Sequence, residues 1–260
     1  MKKHHKTKNK MAEQEKIKSR IEKMINQENN QEKQRMLNSV LINNLGYAKG
    51  RQDLLRLGNI IDVMKEVDRR FFAPLHEAIY IDAPLAIGYG QTISQPTTVA
   101  RMLLLAKLKQ GMDVLEIGAG SGWNASLASK IVSPAKVTAI ERIAPILSLA
   151  KKNFENFEKN KHERLNAEFV FADALDEKNK FWKKKYDRII VTAGADKDLE
   201  RKLQHMGKKL LKDNGLLLYP TSDHGYDGAL ELWKNKKGKL TRVLREQGYA
   251  FVPLLKGEEE

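Results

Sequence analysis

The stretch VLEIGAGSGWNASLA, residues 114–128, restricts the possible folds more than any other part of the chain. It opens as a short apolar run, passes glycines at 118, 120 and 122, and continues as a helix-forming segment. Glycine adopts positive φ without steric cost and lets a ligand approach the main chain. A glycine loop of this kind, between a strand and a helix, lies at the carboxyl end of the strand, where open α/β sheets bind ligands. The spacing is not the dinucleotide fingerprint G-x-G-x-x-G. Counted from Gly118, the third glycine of that pattern falls on Trp123.

The rest of the chain agrees with an α/β fold. From Met112 onward, apolar runs (MDVLEI, KVTAIE, AEFVFAD, YDRIIVTAG, GLLLYP) alternate with helical segments such as NASLASKIV, IAPILSLAKKNFENF and LERKLQHMGKKLL. ALELWK and YAFVPLL read as a final pair of strands. The alternation predicts a mostly parallel sheet with helices on both faces. Upstream, Met36, Val40 and Leu41, and then Ile60, Ile61, Val63, Met64 and Val67, recur at helical spacing until Pro74 bars continuation. IDAPLAIGYGQTISQP is a loop with short strands, and TTVARMLLLAKL a helix. The expected organisation is a basic, flexible extension over 1–34, a helical and substrate-loop region over 35–108, and the ligand-binding core over 109–260. Residues 35–260 are expected to form one globular domain.

Composition removes several chemistries. With no cysteine in 260 residues, disulfides, thiolate nucleophiles and cysteine-based zinc sites are excluded. No apolar run approaches the roughly 18 residues of a membrane span. MKKHHKTKNK is basic with no apolar stretch behind it, unlike a secretory signal, so a cytoplasmic location is expected. The formal net charge is +14, and residues 1–40 hold eleven lysines and arginines against five glutamates. A solvated tail is the favoured reading of that excess and a nucleic-acid-binding arm is the alternative. Removing residues 1–30 is expected to leave catalysis intact. No metal site and no oligomer beyond a monomer are expected.

The order E-x-G-x-G-x-G, from Glu116 to Gly122, resembles the cofactor loop of class I methyltransferases. The resemblance implies a Rossmann-like, seven-stranded fold and S-adenosylmethionine as cofactor. Gly118, Ala119, Gly120, Ser121 and Gly122 would then pass beneath its amino-acid moiety, with Glu116 near the ammonium group. Glu141, followed by Arg142, ends the second core strand, where an acid commonly accepts hydrogen bonds from ribose hydroxyls. Asp173, followed by Ala174, ends the third. The resemblance implies contact with the adenine amino group there, although an aspartate also caps helices well. An ordinary βα turn and a nucleotide-dependent oxidoreductase are the alternatives for this loop.

IDVMKEVDRRFF, YIDAPLAIGYGQTISQP and the glycine motif together resemble the protein-L-isoaspartate O-methyltransferase family, and GYGQTISQP is specific to it. Weaker similarity continues through YDRIIVTAGA, LLKDNGLLLYP and FVPL, so the resemblance spans roughly Leu37 to Leu255. It implies methylation of the free α-carboxylate of isoaspartyl residues in aged proteins, which would be the chain's partners. Such a carboxylate is already ionised at neutral pH, so no general base is needed, and the protein must mainly align donor and acceptor and exclude water. Ser94 takes the family's active-site serine position. As an alternative it caps the following helix, with Gln95 and Pro96 in the first turn; a helix N-terminus also favours an anion. Gln91, Thr92 and Ile93 shape the loop over the cofactor, and Asp82 and Pro84 hold its conformation.

Two stretches depart from the family. Asp196, Lys197 and Asp198 stand where a proline-containing loop is usual, and TSDHGYDGALEL lacks the usual glutamine. His224 in that second stretch reads as an exposed loop histidine. An RNA methyltransferase and a non-catalytic binder of the cofactor are the rival functions. VTAGA after the fourth core strand is not the motif of adenine amino-group methylation, and the missing cysteines exclude cytosine C5 chemistry.

Overall fold

The computed structural model describes residues 2–74, 78–222 and 228–260, the side chains of 2–8 excepted. His224 lies outside the described residues. In chain order the first elements are helices α1 (Lys2–Asn26), α2 (Gln31–Leu45) and α3 (Arg51–Glu66). A small antiparallel hairpin follows, β1 (Leu85–Gly88) with β2 (Gln91–Ile93), and then α4 (Pro96–Ala106). The core runs β3 (Val114–Ile117), α5 (Trp123–Val132), β4 (Val137–Glu141), α6 (Ala144–Lys161) and β5 (Ala167–Phe171). It continues with a 3₁₀ turn at Lys180–Lys183, β6 (Tyr186–Val191), α7 (Lys197–Leu210), β7 (Leu211–Pro220), β8 (Gly228–Lys236) and β9 (Lys239–Tyr249).

The seven core strands lie in the order β5-β4-β3-β6-β7-β8-β9. The pairs from β5 to β7 are parallel, and the last two, β7–β8 and β8–β9, are antiparallel. Every residue of β3 and β4 is buried, as a parallel strand covered on both faces requires. Alternate residues feed two cores. Val114, Ala139 and Ile190 face helices α1 to α6, whereas Leu115, Ile189 and Leu217 face α7 and the 3₁₀ turn. This is the mostly parallel sheet with helices on both faces expected from the alternation. The two faces are unequally covered, with α7 and the 3₁₀ turn carrying the second.

The final strands differ from expectation. β9 is the charged segment KLTRVLREQGY, joined to β8 by a tight turn at Lys237 and Gly238, both at positive φ. Residues 251–255 make only an isolated bridge between Pro253 and Gly194, fixed by Gly194 N–H to Val252 O and Leu254 N–H to Gly194 O.

The expected extension also differs. Composition puts its boundary at residue 34, yet Ile21, Ile25 and Lys33 are buried. Ile17, Ile21, Met24 and Ile25 recur at i, i+4, i+7 and i+8 and lay one apolar stripe on α3. Gly58 of α3 permits this approach, since a Cβ there would stand 3.1 Å from Ile21 Cγ1. Lys33 Nζ is held by Asp68 at 2.8 Å and Glu28 at 3.1 Å, and it also donates to Lys65 O. A buried ammonium needs such partners, because an unpaired charge out of water is costly. Asp68 also accepts from Tyr80 Oη at 2.8 Å, which carries the network to the loop before β1.

Candidate functional site

The carboxyl ends of β3, β4, β5 and β6 open on the same side of the sheet, and a cavity in two lobes lies there. One lobe is walled by Gln91 to Ser94 of the hairpin, by Glu116, and by the glycine loop from Gly118 to Ser121. The other is walled by Glu141, Arg142, Ile143, Asp173, Ala174 and the chain end Pro253–Leu255. Gln91, Gly118 and Glu141 border both. A separate groove runs between α2, the start of α4 and residues 247–252 after the bulk of β9. It meets the first lobe at Thr92, Ser94 and Thr192. Thirteen of the fourteen expected site residues line this cavity.

Gly122 is the exception. It sits at φ +86 as the N-cap of α5, and a Cβ there would stand 3.1 Å from Ala150 O. Its role is close packing of α5 against α6. Gly118, at φ +91, needs its missing side chain for a different reason: a Cβ would meet Thr192 Oγ1 at 2.5 Å. Gly120, at φ +53, faces the open cavity, with no protein atom nearer than Thr92 O at 3.9 Å.

Three carboxylates organise the cavity. Glu116 stands mid-sheet, in register with Ala139 and Ile190, and is fully buried. Its Oε1 accepts from Asn124 Nδ2 at 3.0 Å, while Oε2 has no partner among the described residues. Burial pushes its carboxyl up to about 8; the Asn124 hydrogen bond opposes this and the charge of Glu141 adds to it. Glu141 clamps the loop. Its Oε2 accepts from Gly120 N–H at 3.0 Å, and Oε1 accepts from Arg142 N–H at 2.9 Å and Ile143 N–H at 3.1 Å. Asp173 accepts from Leu175 N–H at 2.9 Å and, with its other oxygen, from Gly257 N–H at 2.8 Å. Arg142 Nε in turn donates to Gly257 O at 2.7 Å. The chain end is thus tied over the second lobe.

Ser94 is not the cap of α4. The N-cap is Gln95, whose side chain makes no capping bond. The exposed amide of Thr97 is satisfied from a distance by Asp82 Oδ1 at 2.9 Å. Asp82 Oδ2 also accepts from Thr97 Oγ1 at 2.6 Å and from Ser39 Oγ of α2 at 2.9 Å. Asp82 therefore locks the loop as expected, and the Ser94 side chain is left for the cavity. Arg69, itself fully buried, donates to the carbonyls of Ile79, Ile81, Ala83 and Ser94, which fixes the backbone on both sides of the hairpin.

Several lining residues escape the sequence reading. Thr192 donates its hydroxyl to Gly118 O at 2.6 Å and borders both the cavity and the groove. Its place, first after a parallel strand, is the readable signal. Arg101 and Tyr47 wall the far groove, with the guanidinium 3.8 Å from the Tyr47 ring centre and ion-paired to Glu246. Arg101 lies on α4, which the sequence pattern marks only as a helix, and Tyr47 lies in the turn just past the end of α2. Of the departing loops, Asp196 caps α7, accepting from Asp198 and Leu199 N–H, so it replaces a proline turn with a capped one.

Residues 37–259 match the family described as Protein-L-isoaspartate(D-aspartate) O-methyltransferase. A protein-L-isoaspartate O-methyltransferase of Pyrococcus abyssi is 44% identical over 178 residues, 68% of this chain and 76% of the relative. Another, of Thermococcus onnurineus, is 38% identical over 208 residues, 79% of this chain and 89% of the relative. A Plasmodium falciparum structure described as a putative protein-L-isoaspartate O-methyltransferase with S-adenosyl-L-homocysteine superposes with a TM-score of 0.70 at 24% identity. It covers 88% of this chain and 100% of that one, and it shows the shared fold. On the family match and these relatives, the chain belongs to the protein-L-isoaspartate (D-aspartate) O-methyltransferase family.

Proposed function

We infer that this chain transfers the methyl group of S-adenosylmethionine to the free α-carboxylate of isoaspartyl residues in damaged proteins. The family match over residues 37–259 carries the reading. The junction of a two-lobed cavity with an open groove at Thr92, Ser94 and Thr192 supports it.

The residues present fit the cofactor. Glu116 Oε2 is a buried oxygen without a partner beside the glycine loop, a seat for the ammonium of an amino-acid moiety. Gly120 leaves the main chain open to the ligand. The second lobe, with Glu141, Arg142, Asp173 and Ala174, takes the ribose and adenine. Bound there, S-adenosylmethionine supplies a methyl carbon already activated by its positive sulfur. The acceptor carboxylate needs no base, and the chain's task is to orient it. Ser94 donates its hydroxyl to one carboxylate oxygen and leaves the other to accept the methyl group. The groove of Asn43, Tyr47, Thr98 and Gln247 holds the flanking peptide and keeps water out.

Methyl transfer from labelled cofactor to an isoaspartyl peptide, beside the same peptide with normal aspartate, tests the reading. Base-labile label on the isoaspartyl peptide alone is the expected result. Label on RNA and on neither peptide would overturn it.

Ser94→Ala is expected to lower kcat roughly 10- to 100-fold, the value of about 1.5–3 kcal/mol for a hydrogen bond to a charged group. The cofactor Kd should stay unchanged; equal losses in both would make Ser94 a purely structural residue.

Glu116 gives a pH signature. With its carboxyl held up to about 8, Glu116 is protonated at pH 7 before the cofactor binds. An incoming ammonium favours the ionised form, so affinity rises as pH climbs from 6 towards 8 and binding releases a proton. Calorimetry in buffers of different ionisation heat should find close to one proton released at pH 7, and none from Glu116→Gln. The same release from both proteins would remove Glu116 from this role.

A further inference from the structure

Residues 1–26 and 176–212 together hold twelve of the fourteen excess positive charges. The second segment is remote in sequence from the first and builds one face. Between β5 and β6, the 3₁₀ turn and its flanks expose Lys178, Lys180, Lys183, Lys184 and Lys185. Across from them, α7 exposes Arg201, Lys202, Lys208 and Lys209 along one stripe roughly 12 Å long. Direct contacts join the two rows. Lys185 Nζ donates to Lys209 O at 2.5 Å, His205 Nε2 lies 3.2 Å from Glu177, and the His205 ring is 6.5 Å from that of Trp182.

The carboxylates of this segment balance only half of its charge, six acids against twelve lysines and arginines over residues 176–212. Glu177 is taken by His205, and Asp198 by Arg201. Among the described residues no carboxylate pairs with Lys178, Lys180, Lys183, Lys208 or Lys209. Lys256 crowds Lys202 and lowers its pKa. Crowded, unpaired ammonium groups around an aromatic pair are complementary to a run of phosphates. A lipid surface fits less well. An interfacial helix needs an apolar side, and none of the exposed large hydrophobic residues belongs to the 3₁₀ turn or α7.

We propose that the face formed by the 3₁₀ turn and α7 binds the phosphate backbone of nucleic acid, independently of methyl transfer. It is built on the side of the sheet away from α2 and α4, which wall the peptide groove, so both ligands are held at once.

The test is fluorescence anisotropy with the full chain, using a labelled 20-nucleotide single-stranded RNA and a DNA duplex of the same sequence, at 50–300 mM KCl. Binding at micromolar concentration and low salt is expected, weakening steeply with salt. Which probe binds tighter identifies the source of the phosphates. K183E/K184E/K208E/K209E should weaken binding at least tenfold and reduce the salt slope by about one for each phosphate no longer neutralised. Its peptide methylation and melting temperature should match the parent. Three results would overturn the proposal: no binding to either probe at 50 mM KCl; binding that survives in this variant but is lost in K2Q/K3Q/K6Q/K8Q/K10Q; or binding to anionic vesicles and not to the oligonucleotides.

Discussion

Gly120→Val is expected to abolish S-adenosylmethionine binding in a protein that still folds. The added side chain meets no protein atom nearer than 3.9 Å, so it enters the cavity and not the core. Holding a non-glycine residue at φ +53 costs about 1–2 kcal/mol, against a total stability on the order of 5–15 kcal/mol. The ligand, however, loses its approach to the main chain. The valine also crowds the amide that Glu141 holds at 3.0 Å. Affinity should fall at least ~100-fold, about 2.7 kcal/mol or more. Calorimetry on a variant with unchanged circular dichroism measures this, and near-parental affinity would place the cofactor elsewhere. Gly118→Ala makes the contrast, because its clash is with Thr192 and therefore strains the fold itself.

Deleting residues 2–30 is expected to lower the melting temperature by roughly 10 °C. Ile21 and Ile25 are 5% and 0% exposed. Burying an isoleucine side chain contributes about 1.5–3 kcal/mol, and a domain of this size loses about 2–4 °C per kcal/mol. Glu28 leaves with the segment, so Lys33 keeps only one carboxylate partner. None of the deleted residues lines the two-lobed cavity or the groove, so the KM for peptide should hold at temperatures where the truncated chain is folded. Scanning calorimetry decides it. An unchanged melting temperature would mean that α1 contributes nothing to the body. These two outcomes together would make the extension dispensable for the chemistry and not for the stability.

What the sequence discloses follows burial. β3 and β4 are covered on both faces, read as unbroken apolar runs, and point directly to the glycine loop between strand and helix. β9 is exposed along most of its length, so KLTRVLREQGY shows more charge than pattern, whereas FVPLL, apolar enough for a strand, is held by two backbone bonds to Gly194. The stripe of α1 is legible in its spacing but diluted by lysine and glutamine. The cap of α4 is illegible, because Asp82 supplies it from fifteen positions before Thr97. Local rules name a cap from its neighbours, and this one arrives through tertiary structure. The same holds for Thr192 and Arg69, whose partners are set by chain crossings that no short window contains.

β9 bears on the company this protein keeps. A repair enzyme works among aged chains with loosened, strand-prone segments, and an open sheet rim is a template for them to join. β9 is such a rim, paired among the described residues with β8 alone. It carries exposed Lys239, Arg242 and Arg245, and irregular register at Leu232/Trp233 and Gly228/Ala229. Charged, kinked rims refuse a further strand. Strand addition at this rim is therefore disfavoured, which suits a chain whose ligands are other polypeptides.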